Sequence, residues 1–259
     1  GAGRARDVTA TLLTAWTYAS PKDGKQALDL IDKLRDSNFD VFRDYHAGLV
    51  ADIANNEAEA TKRLKAAYAA EKTTLRLVDA YGRYMLKRGD KEEALRAYRE
   101  LNKVLPRHPI LLQAIADIEA GKPLPPFVRT PEEGAAEVLY GLGAAGGRQG
   151  DELAAMIYLR LALHLTPDNG MALMTLADLY DRLKQYERAI DVYESVPESS
   201  PLRASAEVQG ALTLESLGRT EDAVKQMRAI VEDRPNDVDA LMALGNLENA
   251  RKNYQQAVD

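Results

Sequence analysis

The string Gly141-Leu142-Gly143-Ala144-Ala145-Gly146 satisfies the G-x-G-x-x-G spacing of a dinucleotide-binding turn letter for letter. That spacing carries chemistry only between a strand and a helix, where the turn aims backbone N–H groups at a pyrophosphate. Here it follows Ala135 to Tyr140, a helical stretch, so no cofactor is expected. The continuation Gly146-Gly147-Arg148-Gln149-Gly150 reads as a loose turn between helices. The three histidines, His46, His108 and His164, stand far apart with no second ligand at metal spacing, and are read as packing or surface residues. There is no cysteine, which removes disulfides, thiolate catalysis and cysteine metal sites. H-E-x-x-H, G-x-x-x-x-G-K-[ST] and G-x-S-x-G are all missing. Solvated helix faces account for the 40 Asp and Glu. No catalytic residue and no metal site is assigned, and the chain is expected not to be an enzyme.

The residues that remain need a scaffold, and composition says which kind. Forty alanines against three Phe and one Trp favour helix over sheet. No apolar run reaches the roughly 18 residues of a membrane span, so no direct membrane insertion is expected. The net charge of −6 divides unevenly: residues 1–108 carry 20 Lys/Arg against 16 Asp/Glu, and residues 109–259 carry 14 against 24. The bland reading is two differently solvated surfaces; the sharper one is two halves that attract different partners, or the opposite half of another copy. Without a concentrated basic face, nucleic acid is not an expected ligand. Gly1-Ala2-Gly3 reads as a cloning remnant, and the last residue, Asp259, falls inside a repeat, so a piece of a longer protein is expected.

The repeat emerges from the spacing of small residues. From Ala136 the chain divides into blocks of 34 residues starting at Ala136, Gly170, Ala204 and Val238, the last running out after 22. At the eighth position stand Gly143, Ala177, Ala211 and Gly245; at the twentieth, Ala155, Ala189, Ala223 and Ala257; at the thirty-second, Pro167, Pro201 and Pro235. Upstream, blocks at Leu75, Val41 and about Val8 add Gly82, Gly48 and Ala15 at the eighth position and Ala94, Ala60 and Ala27 at the twentieth. Each block reads as two antiparallel helices whose close crossing leaves room only for Gly or Ala. Larger apolar residues such as Leu159 and Tyr193 flank the crossing. The block at Ala204 is less tidy, with Glu207 and Gly210 where large apolar residues are expected. The prolines fall just past each second helix, which they cannot continue. Once the period breaks: one helix, Ile110 to Ala120, is followed by Gly121-Lys122-Pro123-Leu124-Pro125-Pro126, too proline-rich for a helix. Thr130, with Pro131 and Glu133 behind it, reads as the N-cap of the next helix with a capping box.

These features resemble the tetratricopeptide repeat family, whose pattern is a large residue, then Leu-Gly, Tyr, Ala, an aromatic and a late Pro. The best match is Leu176-Ala177, Tyr180, Ala189, Tyr193 and Pro201; the family's usual tryptophan at the fourth position is missing, and Trp16 sits elsewhere. The resemblance implies an all-α solenoid, a right-handed superhelix of helix pairs. It would be organised as an N-terminal group over 8–120 (three repeats and a half), a Pro-rich linker over 121–135, and a C-terminal group over 136–259 (three repeats and a truncated fourth).

In this family the first helix of each pair lines a concave groove with its positions 2, 5, 9 and 12. Carried over, the candidate partner groove comprises Phe42, Tyr45, Leu49 and Asp52; Arg76, Asp79 and Arg83; Glu137 and Tyr140; Met171, Met174, Asp178 and Asp181; and Asp239, Met242, Asn246 and Asn249. Methionine adapts to varied shapes, which suits a peptide or helix, although Met174 and Met242 could equally pack against neighbouring repeats. No three successive blocks reproduce the Lys, Asn and Arg set with which some members clamp a chaperone C-terminus. The acidic C-terminal groove points instead to a basic or neutral ligand. The implied function is a protein–protein interaction scaffold. The alternatives are a structural, self-associating solenoid or an accessory module of a longer protein. The Ala-rich repeats resemble bacterial ones, where such proteins often serve the periplasm or cell envelope, with the cytoplasm as alternative.

Overall fold

The computed structural model describes the backbone of residues 2–258 and the side chains of residues 8–251. Every regular element among the described residues is helical. They form two compact units, one ending at Gly141 and one starting at Leu142. In the first, α1 (Ala2–Thr17) pairs with α2 (Gly24–Ile31), α3 (Asp40–Ile53) with α4 (Glu57–Ala70), and α5 (Leu75–Lys87) with α6 (Lys91–Val104). Then α7 (Pro109–Glu119) packs on α6 and has no second helix behind it. Helix α8 (Pro131–Gln149) starts in the first unit and ends in the second, which continues through α9 (Glu152–Leu165), α10 (Gly170–Arg182), α11 (Tyr186–Glu194), α12 (Arg203–Ser216), α13 (Thr220–Asp233) and α14 (Val238–Val258).

The small positions sit where backbones cross. Ala27, Ala60, Ala94, Ala155, Ala189 and Ala223 are all at 0% exposure. A Cβ on Gly48 would stand 2.6 Å from Leu64 Cγ, one on Gly82 2.5 Å from Tyr98 Cε2, and one on Gly143 2.8 Å from Leu159 Cγ. In each case the eighth position of a block receives the large residue at the twenty-fourth.

The turn inside each pair is equally regular. The fifteenth position has positive φ in five complete blocks: Asn55 (58°), Gly89 (83°), Gly150 (82°), Lys184 (58°) and Gly218 (83°). The next N–H closes back on the carbonyl five residues earlier, as in Asn56 to Ala51 (2.8 Å) and Gln185 to Tyr180 (2.9 Å), a Schellman ending of the first helix. In three of the five, that next residue also caps the second helix: Asn56, Asp90 and Asp151 each accept a backbone N–H from three residues on. Gly121 (φ 71°) ends α7 the same way.

Three local expectations are revised. Gly146 to Gln149 continue α8, and only Gly150 turns, because Gly147 is buried, a Cβ there standing 3.3 Å from Arg182 Nη2 and 3.7 Å from Ala155 Cβ, and the helical ladder persists past the glycines. Helix α14 runs unbroken through Lys252-Asn253, where the other blocks turn; the Ala257 side chain lies outside the described residues. Thr130 does cap α8, accepting the Glu133 N–H at 3.2 Å, but the Glu133 carboxylate returns to the Arg129 N–H (2.6 Å) and guanidinium, one residue further out than a capping box.

Candidate partner-binding faces

Nine of the candidate groove residues lie in the first unit; the seven on α3 and α5 face residues 125–141 of the chain itself, the segment to which the other two, Glu137 and Tyr140, belong. Tyr45 on α3 donates its hydroxyl to Glu137 Oε1 (2.8 Å), and Arg76 on α5 reaches both carboxylate oxygens, with Nη2 to Oε2 at 2.5 Å. The Arg76 guanidinium lies 4.2 Å over the Phe127 ring and 5.5 Å from that of Tyr140. Burial works against the Arg76 charge, and the Glu137 carboxylate more than offsets it, so its pKa lies above the ordinary range. Burial, together with that carboxylate, holds the Tyr45 phenol well above its usual value. One helical turn on, Asp79 accepts from Tyr98 Oη (2.7 Å) and Arg83 Nε (2.8 Å), and Arg83 Nη1 donates to the Pro125 carbonyl (3.0 Å). Leu49, Asp52, Tyr84 and Lys87 line a narrow cleft closed by Pro126, Phe127 and Val128.

The Phe42 ring sits where a Cβ on Gly141 would come within 2.9 Å, and Trp16 on α1 occupies the space beside Gly134, where a Cβ would stand 2.1 Å from its ring. His46, at 0% exposure, accepts the Trp16 indole N–H at Nδ1 (3.2 Å) and packs against the rings of Phe42 and Tyr45. Burial pushes its pKa down to about 3. Trp16 stands at the ninth position of the block at Val8, although it is not among the carried-over groove residues, whereas Phe127, Val128 and Gly134 lie outside the repeating positions that counting can reach. The Pro-Pro-Phe-Val run, an aromatic and a β-branched residue ending a proline segment, was the available signal.

In the second unit α10, α12 and α14 contact in succession. On α10, Met171 and Met174 are half-buried, Asp178 accepts the Tyr193 hydroxyl (2.5 Å), and Asp181 accepts Thr213 Oγ1 (3.3 Å). Burial and the Asp178 carboxylate raise the Tyr193 phenol far above its usual pKa. On α14, Met242 is 61% exposed, and Asp239, Asn246 and Asn249 are exposed. Glu207, out of pattern by sequence, forks between Arg203 (2.8 Å) and Arg234 (2.7 Å), tying the start of α12 to the end of α13.

Among the described residues no cluster of His, Cys, Asp and Glu could hold a metal ion, and no helix is long and apolar enough to cross a membrane. The Gly141–Gly146 string lies wholly inside α8.

Residues 158–204 and 209–259 match the family model described as tetratricopeptide repeat. No curated protein matches the chain. Solved structures similar to it include the tetratricopeptide domain of Arabidopsis OM64, 19% identical, spanning 46% of this chain and 98% of that one, with a TM-score of 0.40. MamA of Desulfovibrio magneticus RS-1 is 22% identical over 72% of this chain and 91% of its own, TM-score 0.39. A tetratricopeptide repeat protein of Parabacteroides merdae is 12% identical over 94% and 99%, TM-score 0.39.

Proposed function

We propose that this chain, which carries tetratricopeptide repeats, is a protein-interaction scaffold whose second unit holds a peptide or helical segment of a partner along α10, α12 and α14. The observation that carries this reading is the state of the methionines. Met242 leaves 61% of its surface in solvent at the fifth position of α14, and Met171 and Met174 are half-open at the second and fifth positions of α10. Adaptable apolar groups beside Asp178 and Asp181 favour a segment with apolar anchors and basic or neutral flanks.

The two kinds of group should separate kinetically. Rim charge sets association rate and salt sensitivity, whereas apolar anchors set dissociation. Because Asp178 holds the Tyr193 hydroxyl, the charge is best removed by Asp178→Asn with Asp181→Asn, which keeps an acceptor oxygen in place. With a partner captured by the wild-type chain, that pair should slow association and flatten its salt dependence, and Met171→Ala with Met174→Ala should speed dissociation. A captured partner that binds both double variants like wild type would refute the groove in this unit.

A second reading draws on α9. Leu153, Ile157, Leu161 and Leu165, spaced four apart, are 71%, 51%, 47% and 38% exposed, an apolar stripe suited to packing on another copy or another part of a longer chain. Mass measurement in solution, with and without Ile157→Lys, distinguishes self-association from a monomeric scaffold.

A further inference from the structure

The first unit presents the inner face of α1, α3 and α5 already filled. Residues 125–128 lie extended against α5 and α3, and the first three turns of α8 follow, with Gly134 against Trp16, Glu137 between Tyr45 and Arg76, and Gly141 against Phe42. Two features mark this as recognition of a segment and not ordinary core. At its centre is a carboxylate, Glu137, only 3% exposed and forked by a guanidinium and a phenol. A buried pair of that kind adds little net stability over apolar packing but penalises every mismatched register. The approach to it is a non-helical stretch, residues 120–130, with Pro123, Pro125 and Pro126 exposed and the Pro125 carbonyl held by Arg83. A segment attached through such an approach can leave without unfolding the helix pairs beneath it.

We propose that residues 125–141 are an internal ligand of the first unit's groove, competing there with a partner segment of the same chemistry. That chemistry is an aromatic residue on extended chain, followed ten residues on by a carboxylate on a helix, as Phe127 and Glu137 stand here. The proposal rests on the scaffold reading but on different helices from those assigned to the partner above. Tethering gives the internal segment an effective concentration on the order of millimolar. An outside segment therefore binds with its affinity reduced by the open fraction, about a hundredfold if the groove is open about 1% of the time.

The probe is a fluorescent synthetic peptide with the sequence of residues 121–141, titrated into the full chain, so no outside partner is needed. Phe127→Ala with Glu137→Gln loosens the internal ligand; this variant should bind the peptide at least tenfold more tightly than wild type. Adding Arg76→Gln should abolish the gain, and a peptide carrying the same Phe→Ala and Glu→Gln changes should bind to neither chain. A loosened variant that keeps wild-type helicity and binds no more tightly than wild type overturns the proposal. Should that variant fail to fold, hydrogen exchange on wild type decides. Amides of residues 134–141 must exchange through an opening smaller than the one that exposes α3 and α5; equal protection of all three overturns the proposal. Either outcome leaves the α10–α14 reading untouched, since the peptide's contacts all lie in the first unit.

Discussion

Replacing Gly82 by Ala sets two known effects against each other, and the structure says which wins. A methyl on the α5 backbone would stand 2.5 Å from Tyr98 Cε2 and 2.8 Å from Cζ. To reach an ordinary carbon–carbon contact of about 3.5 Å the ring must retreat by about 1 Å. Tyr98 is at 0% exposure, and its hydroxyl donates to Asp79 Oδ1 at 2.7 Å, so a retreat of that size takes the bond out of range. Overpacking costs about 1–3 kcal/mol, and losing a hydrogen bond to a charged acceptor costs about 1.5–3 kcal/mol, softened here because Arg83 still holds Asp79. Against this stands a helix-propensity gain of about 0.8–1 kcal/mol for Ala over Gly. A net loss of about 2–4 kcal/mol follows. Urea unfolding read by the single tryptophan, Trp16, reports the first unit. Its midpoint should fall by 1 M or more at an m-value of about 2 kcal/mol/M. The control is Gly146→Ala, inside α8, where the added carbon meets its nearest neighbour at an ordinary 3.5 Å. That change should stabilise by about 0.5–1 kcal/mol, read by circular dichroism. A Gly82→Ala chain as stable as wild type would mean that α5 and α6 do not cross closely at this point.

At the corresponding crossing in the second unit, Ala189→Leu should cost about 1–3 kcal/mol, whereas Lys225→Leu at an exposed site should stay within about 0.5 kcal/mol in the same denaturation series. Lys184→Gly should stabilise by about 0.5–1 kcal/mol, because the native residue is held at φ 58°, a conformation glycine adopts freely. His46 stays neutral in the fold down to about pH 3, while the unfolded chain takes up its proton near 6.5. The unfolded state therefore binds more protons across that window, and His46 costs nothing above pH 6.5 but about 1.4 kcal/mol per pH unit as the pH falls toward 3. His46→Gln, which keeps an acceptor for the Trp16 indole, should flatten stability between pH 6.5 and 4.5; an NMR titration placing His46 near 6.5 in the folded chain would refute this.

Positions where physics leaves one solution were legible in the sequence. A helix crossing without room for a Cβ or for more than a methyl forces Gly or Ala at fixed spacing, so Gly82 and Ala94 announce themselves without a homologue to compare. The turn between paired helices was half-legible. Gly89-Asp90 and Gly150-Asp151 pair a left-handed ending with a capping carboxylate, but Lys184-Gln185 performs the same turn with neither residue type, because the surrounding helices over-determine the backbone there. The glycine run after Gly143 misled for the opposite reason. Glycine permits a turn without requiring one, and burial of Gly147 beside Ala155 keeps the helix intact as far as Gln149.

The inner faces show where counting by period stops. Register gives an address to Tyr45, Arg76 and Asp79 because each recurs at the same place on a first helix. It gave Glu137 an address by the same rule, as a wall residue of the next repeat, yet Glu137 lies against Tyr45 and Arg76 as something held. The cause is upstream. A first helix normally stacks on the second helix of the preceding pair, but α7 has none, since Pro123, Pro125 and Pro126 forbid it. The beginning of α8 therefore buries its inward residues elsewhere, and the face of α1, α3 and α5 offers Trp16, Phe42 and a guanidinium that needs a carboxylate. Charge was the remaining clue: the first 108 residues carry an excess of four positive charges and the rest an excess of ten negative ones. Part of that imbalance is joined inside the first unit, through Arg76 and Glu137. The same missing helix that breaks the period thus leaves the acidic start of α8 to place Glu137 on Arg76, and the proposed internal ligand rests on that contact.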